Sequence, residues 1–160
     1  MPRFDYREIL RTLAQHEVEF LVAGSVSALL QGASVPGWDL AVVYRRDASN
    51  IDRVLAALQN LEARLRMRPD LSPDVAHLRA PGDKLLITNL GALDLLANVG
   101  RQRTFEDLIG HTFEIKVGEF RVRVLQLEKL IALKEETGTE LDLAMLPILR
   151  RTLEEKRRLK

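Results

Sequence analysis

The chain has 160 residues, 46% of them hydrophobic and 29% charged, with a formal net charge of +1, which suits one soluble globular domain spanning 1–160 and removes the argument for nucleic acid as a general electrostatic partner. No apolar run approaches the roughly 20 residues that cross a bilayer, and the opening "MPRFDYREIL" lacks the basic-then-apolar pattern of an export signal, so a cytoplasmic chain with no membrane partner is expected. With no cysteine there is no disulfide framework or thiolate nucleophile, and His16, His77 and His111 are too scattered for zinc, which leaves a hard ion held by carboxylates as the metal chemistry to consider.

Ile9, Leu10 and Leu13 repeat at helical spacing behind a capping Asp5 and predict a helix to Gln15. The run Phe20 to Ala23 is apolar throughout, as in a strand buried on both faces. Gly24-Ser25 breaks it, "VSALLQ" forms a short helix ending at Gly32, and Asp39 to Tyr44 is the next strand. Ile51, Val54, Leu55, Leu58, Leu61 and Leu65 share one face of a long helix, with Ser49 and Asp52 placed to cap its start. Residues 67–83, rich in Pro and Gly, read as an irregular connection with a short strand around "AHLRA". Lys84 to Thr88 and Leu93 to Ala97 are extended, "RTFEDLIGH" is a short helix, and "TFEIKVGEFRVRVL" is a hairpin turning at Gly118 and Glu119. Helices over Leu127 to Thr137, stopped by Gly138, and Leu141 to Arg158, with Thr139 as its cap, end the chain.

Three features point to chemistry. Gly24-Ser25 turns a buried strand into a helix, where backbone N–H groups favour an anion, although a tight turn capped by Ser25 explains the pair equally well. Asp39 and Asp94 are carboxylates in apolar, extended settings. On neighbouring strands they would repel one another unless a proton or a divalent cation such as magnesium lay between them; taken singly, each reads as a strand-end acid that caps a turn or meets water. Lys134 falls on the apolar side of its helix, three and four residues after Ile131 and Leu130. It pairs with Asp142, flanks a ligand phosphate together with it, or extends its amine to solvent while Asp142 caps with Thr139.

With these residues in place, "FLVAGSVSALLQGASVPGWDLAVVYRRD" resembles the opening motif of the nucleotidyltransferase superfamily, the fold of DNA polymerase β, antibiotic nucleotidyltransferases and abortive-infection toxins. "LGALDLLANVGRQRTFEDLIGHTFEIKVGEFRVRVLQLEKLIALKEETGTELDLAML" is similar to the second half of its small bacterial members. The resemblance implies an α+β architecture, a mixed twisted sheet flanked by helices, with residues 1–100 as the core and 101–160 as hairpin and C-terminal helices. It also implies Gly24 and Ser25 at the nucleotide's phosphates, Asp39 and Asp94 as Mg²⁺ ligands and catalytic acids, and Lys134 as a nucleotide contact, with Asp142 in the basic-Asp segment that follows. The implied reaction moves a nucleoside monophosphate from a nucleoside triphosphate such as ATP to a hydroxyl on RNA, protein or a small molecule.

The chain departs from the family pattern. Ala41 stands where the family has the second Asp of Asp-x-Asp, a ligand to both ions of a two-metal site. Gln31-Gly32 replaces His-Gly, Val35 an Arg, Gly37 a Thr, and Thr139-Glu140-Leu141-Asp142 an Arg-Pro-Lys-Asp. Lost basic groups weaken phosphate binding, and a lost carboxylate weakens the clamp on a phosphoryl transition state. A second expectation follows: a catalytically inactive module that binds nucleotide or a partner protein, in a regulatory or toxin–antitoxin-like role.

Overall fold

The fold is described by a computed structural model for residues 4–35 and 40–159. Asp5 accepts the Glu8 N–H at 3.2 Å and opens α1 (Tyr6–Gln15), which buries Ile9, Leu10 and Leu13. β1 (Phe20–Ala23) is buried at every position, as its unbroken apolar run predicts. α2 (Gly24–Leu30) begins on the glycine itself, and β2 (Leu40–Tyr44) follows. Gly37 and Asp39 lie outside the described residues.

The long helix, α3 (Ala48–Asn60), is shorter than its apolar pattern suggests. Ser49 is not its cap; its hydroxyl donates to Asp47 at 2.8 Å, and Asp47 holds the cap position. The helix stops because Glu62 takes a left-handed backbone (φ 53°), after which Leu65, expected on the helix face, joins a short strand instead. That strand, β3 (Arg64–Leu65), pairs antiparallel with β4 (Lys84–Thr88). The second correction is "AHLRA", which is helical: α4 (Val75–Arg79) is opened by Asp74, whose carboxylate accepts the His77 N–H at 2.9 Å, and it seats Leu78 in the core. β5 (Gly91–Leu96), α5 (Phe105–Leu108) with a following 3₁₀ turn, and the hairpin of β6 (Thr112–Val117) and β7 (Phe120–Leu125) agree with expectation. Gly118, φ 64°, supplies the left-handed residue of the hairpin turn. α6 (Leu127–Thr137) ends at left-handed Gly138, and Thr139 caps α7 (Glu140–Arg158) by accepting the Asp142 N–H at 3.1 Å.

The seven strands make one mixed sheet in the order β3-β4-β5-β2-β1-β7-β6. β1 pairs antiparallel with β2 and parallel with β7, and β2 pairs parallel with β5. On one face α1, α3 and α4 bury Leu10, Ile51, Leu58 and Leu78 against Leu40, Val42, Leu93 and Leu95. On the other face α5, α6 and α7 cover Leu21, Ala23, Val43 and Leu125 with Phe105, Leu130, Ile131, Leu146 and Leu149. That second layer does not reach the far edge of the sheet, where Leu85 of β4 is exposed.

Candidate functional site

Alternation along the strands decides which side chains share the partly open face. Leu40, Val42, Leu93 and Leu95 point into the first core, so Ala41 and Asp94 point to the opposite side. Their registers coincide: Ala23 is paired with Ala41, Ala41 with Asp94, and Asp94 with Leu85. Arg66, one residue beyond β3, prolongs that line by donating its backbone N–H to the Leu85 carbonyl at 2.9 Å. A transverse row of Arg66, Leu85, Asp94, Ala41 and Ala23 therefore crosses the sheet and ends beside the Gly24 turn.

Gly24 sits in the left-handed region (φ 65°), and a Cβ added there would lie 3.4 Å from the Ala41 Cβ. The turn is thus pressed against β2 at the position that carries the second Asp in the resembling family. Ser25 is half-buried at the second residue of α2; the cap position belongs to Ala23, so Ser25 does not cap the helix. Gln31, which replaces the family's histidine, is a buried brace: its amide donates to the Leu125 carbonyl at 2.7 Å and its carbonyl accepts from Lys156 at 3.1 Å.

Gly24, Ala41, Leu96, Val99, Lys134 and Asp142 line a cavity of about 170 Å³. That is below the roughly 300–1,000 Å³ of pockets that enclose a whole small ligand, so it suits part of one, such as a phosphate chain. A larger cavity, about 600 Å³, lies at the other end of β1 around Phe20, Arg45 and Arg123, away from every residue singled out in the sequence. Within the smaller one the Lys134 amine donates to Asp142 at 3.0 Å, and the Thr137 hydroxyl donates to the other carboxylate oxygen at 2.5 Å. Burial alone would raise the Asp142 pKa, but hydrogen bonds from Thr137, Thr139 and Lys134 outweigh it and hold the group at about 2.

Asp94 sits beside this cavity rather than in its lining, and its carboxylate meets a cation from the chain: Arg66 Nη2 lies 2.5 Å from Oδ1. The same guanidinium is anchored on the Leu86 carbonyl through Nε at 3.3 Å and Nη2 at 3.0 Å. The pairing is largely shielded, with side-chain exposures of 30% for Arg66 and 16% for Asp94. The apolar stripe that runs on to Leu65 masks Arg66 in the sequence; the alternation Arg64, Arg66, Arg68 in "ARLRMR" is the strand-like signal that marks it.

Among the described residues, this row does not fit a divalent ion. Asp94 already accepts a guanidinium, Ala41 offers no oxygen, and among the described residues no group of three or more His, Asp or Glu could hold a metal. The expected meeting of Asp39 with Asp94 involves a residue outside those described. The most buried charged side chain among the described residues is Lys84, which donates to the carbonyls of Ala80 and Gly82 beneath the Tyr44 ring. Burial lowers the Lys84 pKa and raises that of Tyr44, whose hydroxyl donates to the Leu78 carbonyl at 2.7 Å, to about 12.

Comparison with known proteins agrees with this architecture. The family described as "Nucleotidyl transferase of unknown function (DUF2204)" matches residues 86–160. No curated protein matches the sequence. Among solved structures, a lincosamide antibiotic adenylyltransferase, LnuA, with lincomycin bound is similar over 94% of this chain and 98% of its own, at 15% identity and a TM-score of 0.63. A candidate nucleotidyltransferase from Thermotoga maritima is similar over 94% of this chain and 93% of its own, at 18% identity and a TM-score of 0.58. The chain therefore has the fold of these nucleotidyltransferases, and its second half matches the family model.

Proposed function

We propose that this chain is a nucleotide-binding module of the nucleotidyltransferase fold that has lost metal-dependent nucleotidyl transfer. The observation that carries the reading is the transverse row: alanine at position 41, and beside it an Asp94 whose carboxylate is engaged by Arg66. Phosphoryl transfer is catalysed mainly by positioning and by stabilising charge, commonly through two ions clamped between carboxylates. A row with one ligand position empty of oxygen and the next occupied by a guanidinium lacks that clamp.

What is retained supports binding. The Gly24 turn brings the start of α2 against β2, and Lys134 presents an ammonium to the cavity that Gly24 lines. Asp142 takes one of that ammonium's three donors and orients it, leaving the others to meet a phosphate oxygen. Because an adenylyltransferase shares the fold, ATP is the first nucleoside triphosphate to try. A module of this kind acts through a partner protein that distinguishes its loaded from its empty state, in a regulatory or toxin–antitoxin-like pairing.

Millimolar ATP should raise the melting temperature: ligand at about 100 times its Kd adds about 2.7 kcal/mol to the folded state, and each kcal/mol moves Tm by roughly 2–4 °C in a chain of this size. No shift with any of the four nucleoside triphosphates, with or without Mg²⁺, would sink the proposal. Incubation with labelled ATP, Mg²⁺ and a mixed pool of RNA, protein and small-molecule acceptors should transfer no label. Transfer that Asp94→Asn abolishes would restore the enzymatic reading instead.

A further inference from the structure

We propose that the Arg66 guanidinium is the resident cation of this site, occupying the carboxylate a divalent ion would need, so that the site takes its phosphate-bearing ligand without a metal. The phosphate part of this inference rests on the nucleotide-binding reading above; the occupancy of Asp94 by Arg66 does not. Three observations carry it.

The first is position. Arg66 is tied into the sheet by its own backbone bond to Leu85, in register with Asp94, so its side chain starts from a fixed point on the same row. The second is the way the head group is held. Nε and Nη2 both donate to the Leu86 carbonyl while Nη2 reaches Asp94, a fixed planar fork rather than a long side chain sweeping through solvent. An exposed ion pair would yield readily to a competing ion, but here both partners are mostly withdrawn from water, where mutual attraction is screened least. The third is the neighbour on the other side. Ala41 places a methyl group, not a second carboxylate, next to Asp94, so the row holds one acid balanced by one fixed cation. A second acid at 41 would have left one negative charge over and recruited a further cation. With alanine there, the row itself carries no second acid, and the guanidinium, an always-charged group suited to phosphate geometry, faces the same side of the sheet as the Gly24 turn.

The test compares wild type with Arg66→Ala, with Arg66→Gln as the variant that keeps a donor to Leu86 should the alanine form fail to fold, as judged by circular dichroism. Mn²⁺ titration followed by electron paramagnetic resonance, with no nucleotide present, should detect no site in the wild type. Because Asp94 alone offers too few oxygens for a divalent ion, the comparison is made with Ala41→Asp present: either Arg66 substitution in that background should bind Mn²⁺ at least about tenfold more tightly than Ala41→Asp alone, and adding Asp94→Asn should abolish the gain. ATP affinity of the wild type, by calorimetry, should be unchanged between EDTA and Mg²⁺, whereas the Arg66 variants should lose about tenfold in EDTA, one lost charge-assisted contact. Wild-type Mn²⁺ binding that Asp94→Asn removes, or no Mn²⁺ gain from either Arg66 substitution in the Ala41→Asp background, overturns the assignment of Arg66. ATP binding by the wild type that vanishes in EDTA overturns metal independence. Absence of ATP binding under every condition refutes the nucleotide-binding reading and the phosphate part of this one, while the Mn²⁺ titration still decides whether Arg66 holds Asp94.

Discussion

Among the described residues, Asp142 is the carboxylate whose pKa is displaced to about 2, and its partners explain both the size and the consequence of the displacement. A folded-state pKa below the unfolded value stabilises the native form above the unfolded pKa and is lost as pH falls through the folded one. The wild type should therefore lose stability between about pH 4 and pH 2 through this group. Asp142→Asn should flatten that part of the profile and cost on the order of 1–3 kcal/mol near neutrality, since Lys134 and Thr137 each lose a charge-assisted bond; urea denaturation across pH measures both. Gly24→Ala tests a backbone requirement instead. The added methyl would only touch Ala41, but φ 65° is strained for any residue with a Cβ, so a loss of about 1–2 kcal/mol is expected in the same denaturation experiment. The turn at Gly24 and the meeting of Lys134 with Asp142 were readable in the sequence, because a glycine after a buried strand and a lysine in an apolar stripe conflict with local rules. The role of Arg66 was not, since an arginine among alternating arginines conflicts with nothing until its neighbour across β4 is known.

At the scale of elements, the informative cases are those where a local pattern ran past a boundary. The apolar stripe of α3 continues in register to Leu65, yet the helix ends at Asn60 because left-handed Glu62 redirects the chain to the sheet edge. α4 was expected as a strand from five residues, too few for periodicity to separate helix from strand; its Asp74 cap and one buried leucine settle it. The join between α3 and the central strands is made by Asn50, fully buried. Its amide donates to the Glu19 and Arg45 carbonyls at 3.0 and 2.7 Å, and its carbonyl accepts the Glu19 N–H at 2.7 Å. Asn50→Ala strands these backbone groups at the start of β1 and the end of β2, and should cost about 2–4 kcal/mol in chemical denaturation. A loss under about 1 kcal/mol would mean that water replaces the side chain, contrary to its burial.

For the whole molecule, the sheet order places β1, β2 and β5 at the centre, covered on both faces over most of their length, with β3 and β6 at the edges. Amide hydrogen exchange should accordingly be slowest in β1 and β2 and fastest in β3 and α7's last turn, where the backbone is least enclosed. Equal protection in β3 and β1 would contradict that layering. The sequence by itself determined the helices and strands with strong periodicity, the buried character of β1, and the left-handed glycines at 118 and 138, because each depends on residues within a few positions of one another. Only the tertiary structure decided which charges meet. Arg66 and Asp94 are 28 residues apart and belong to different strands, and an ion pair is set by distance through space and the water excluded around it, quantities that a linear order of residues does not contain.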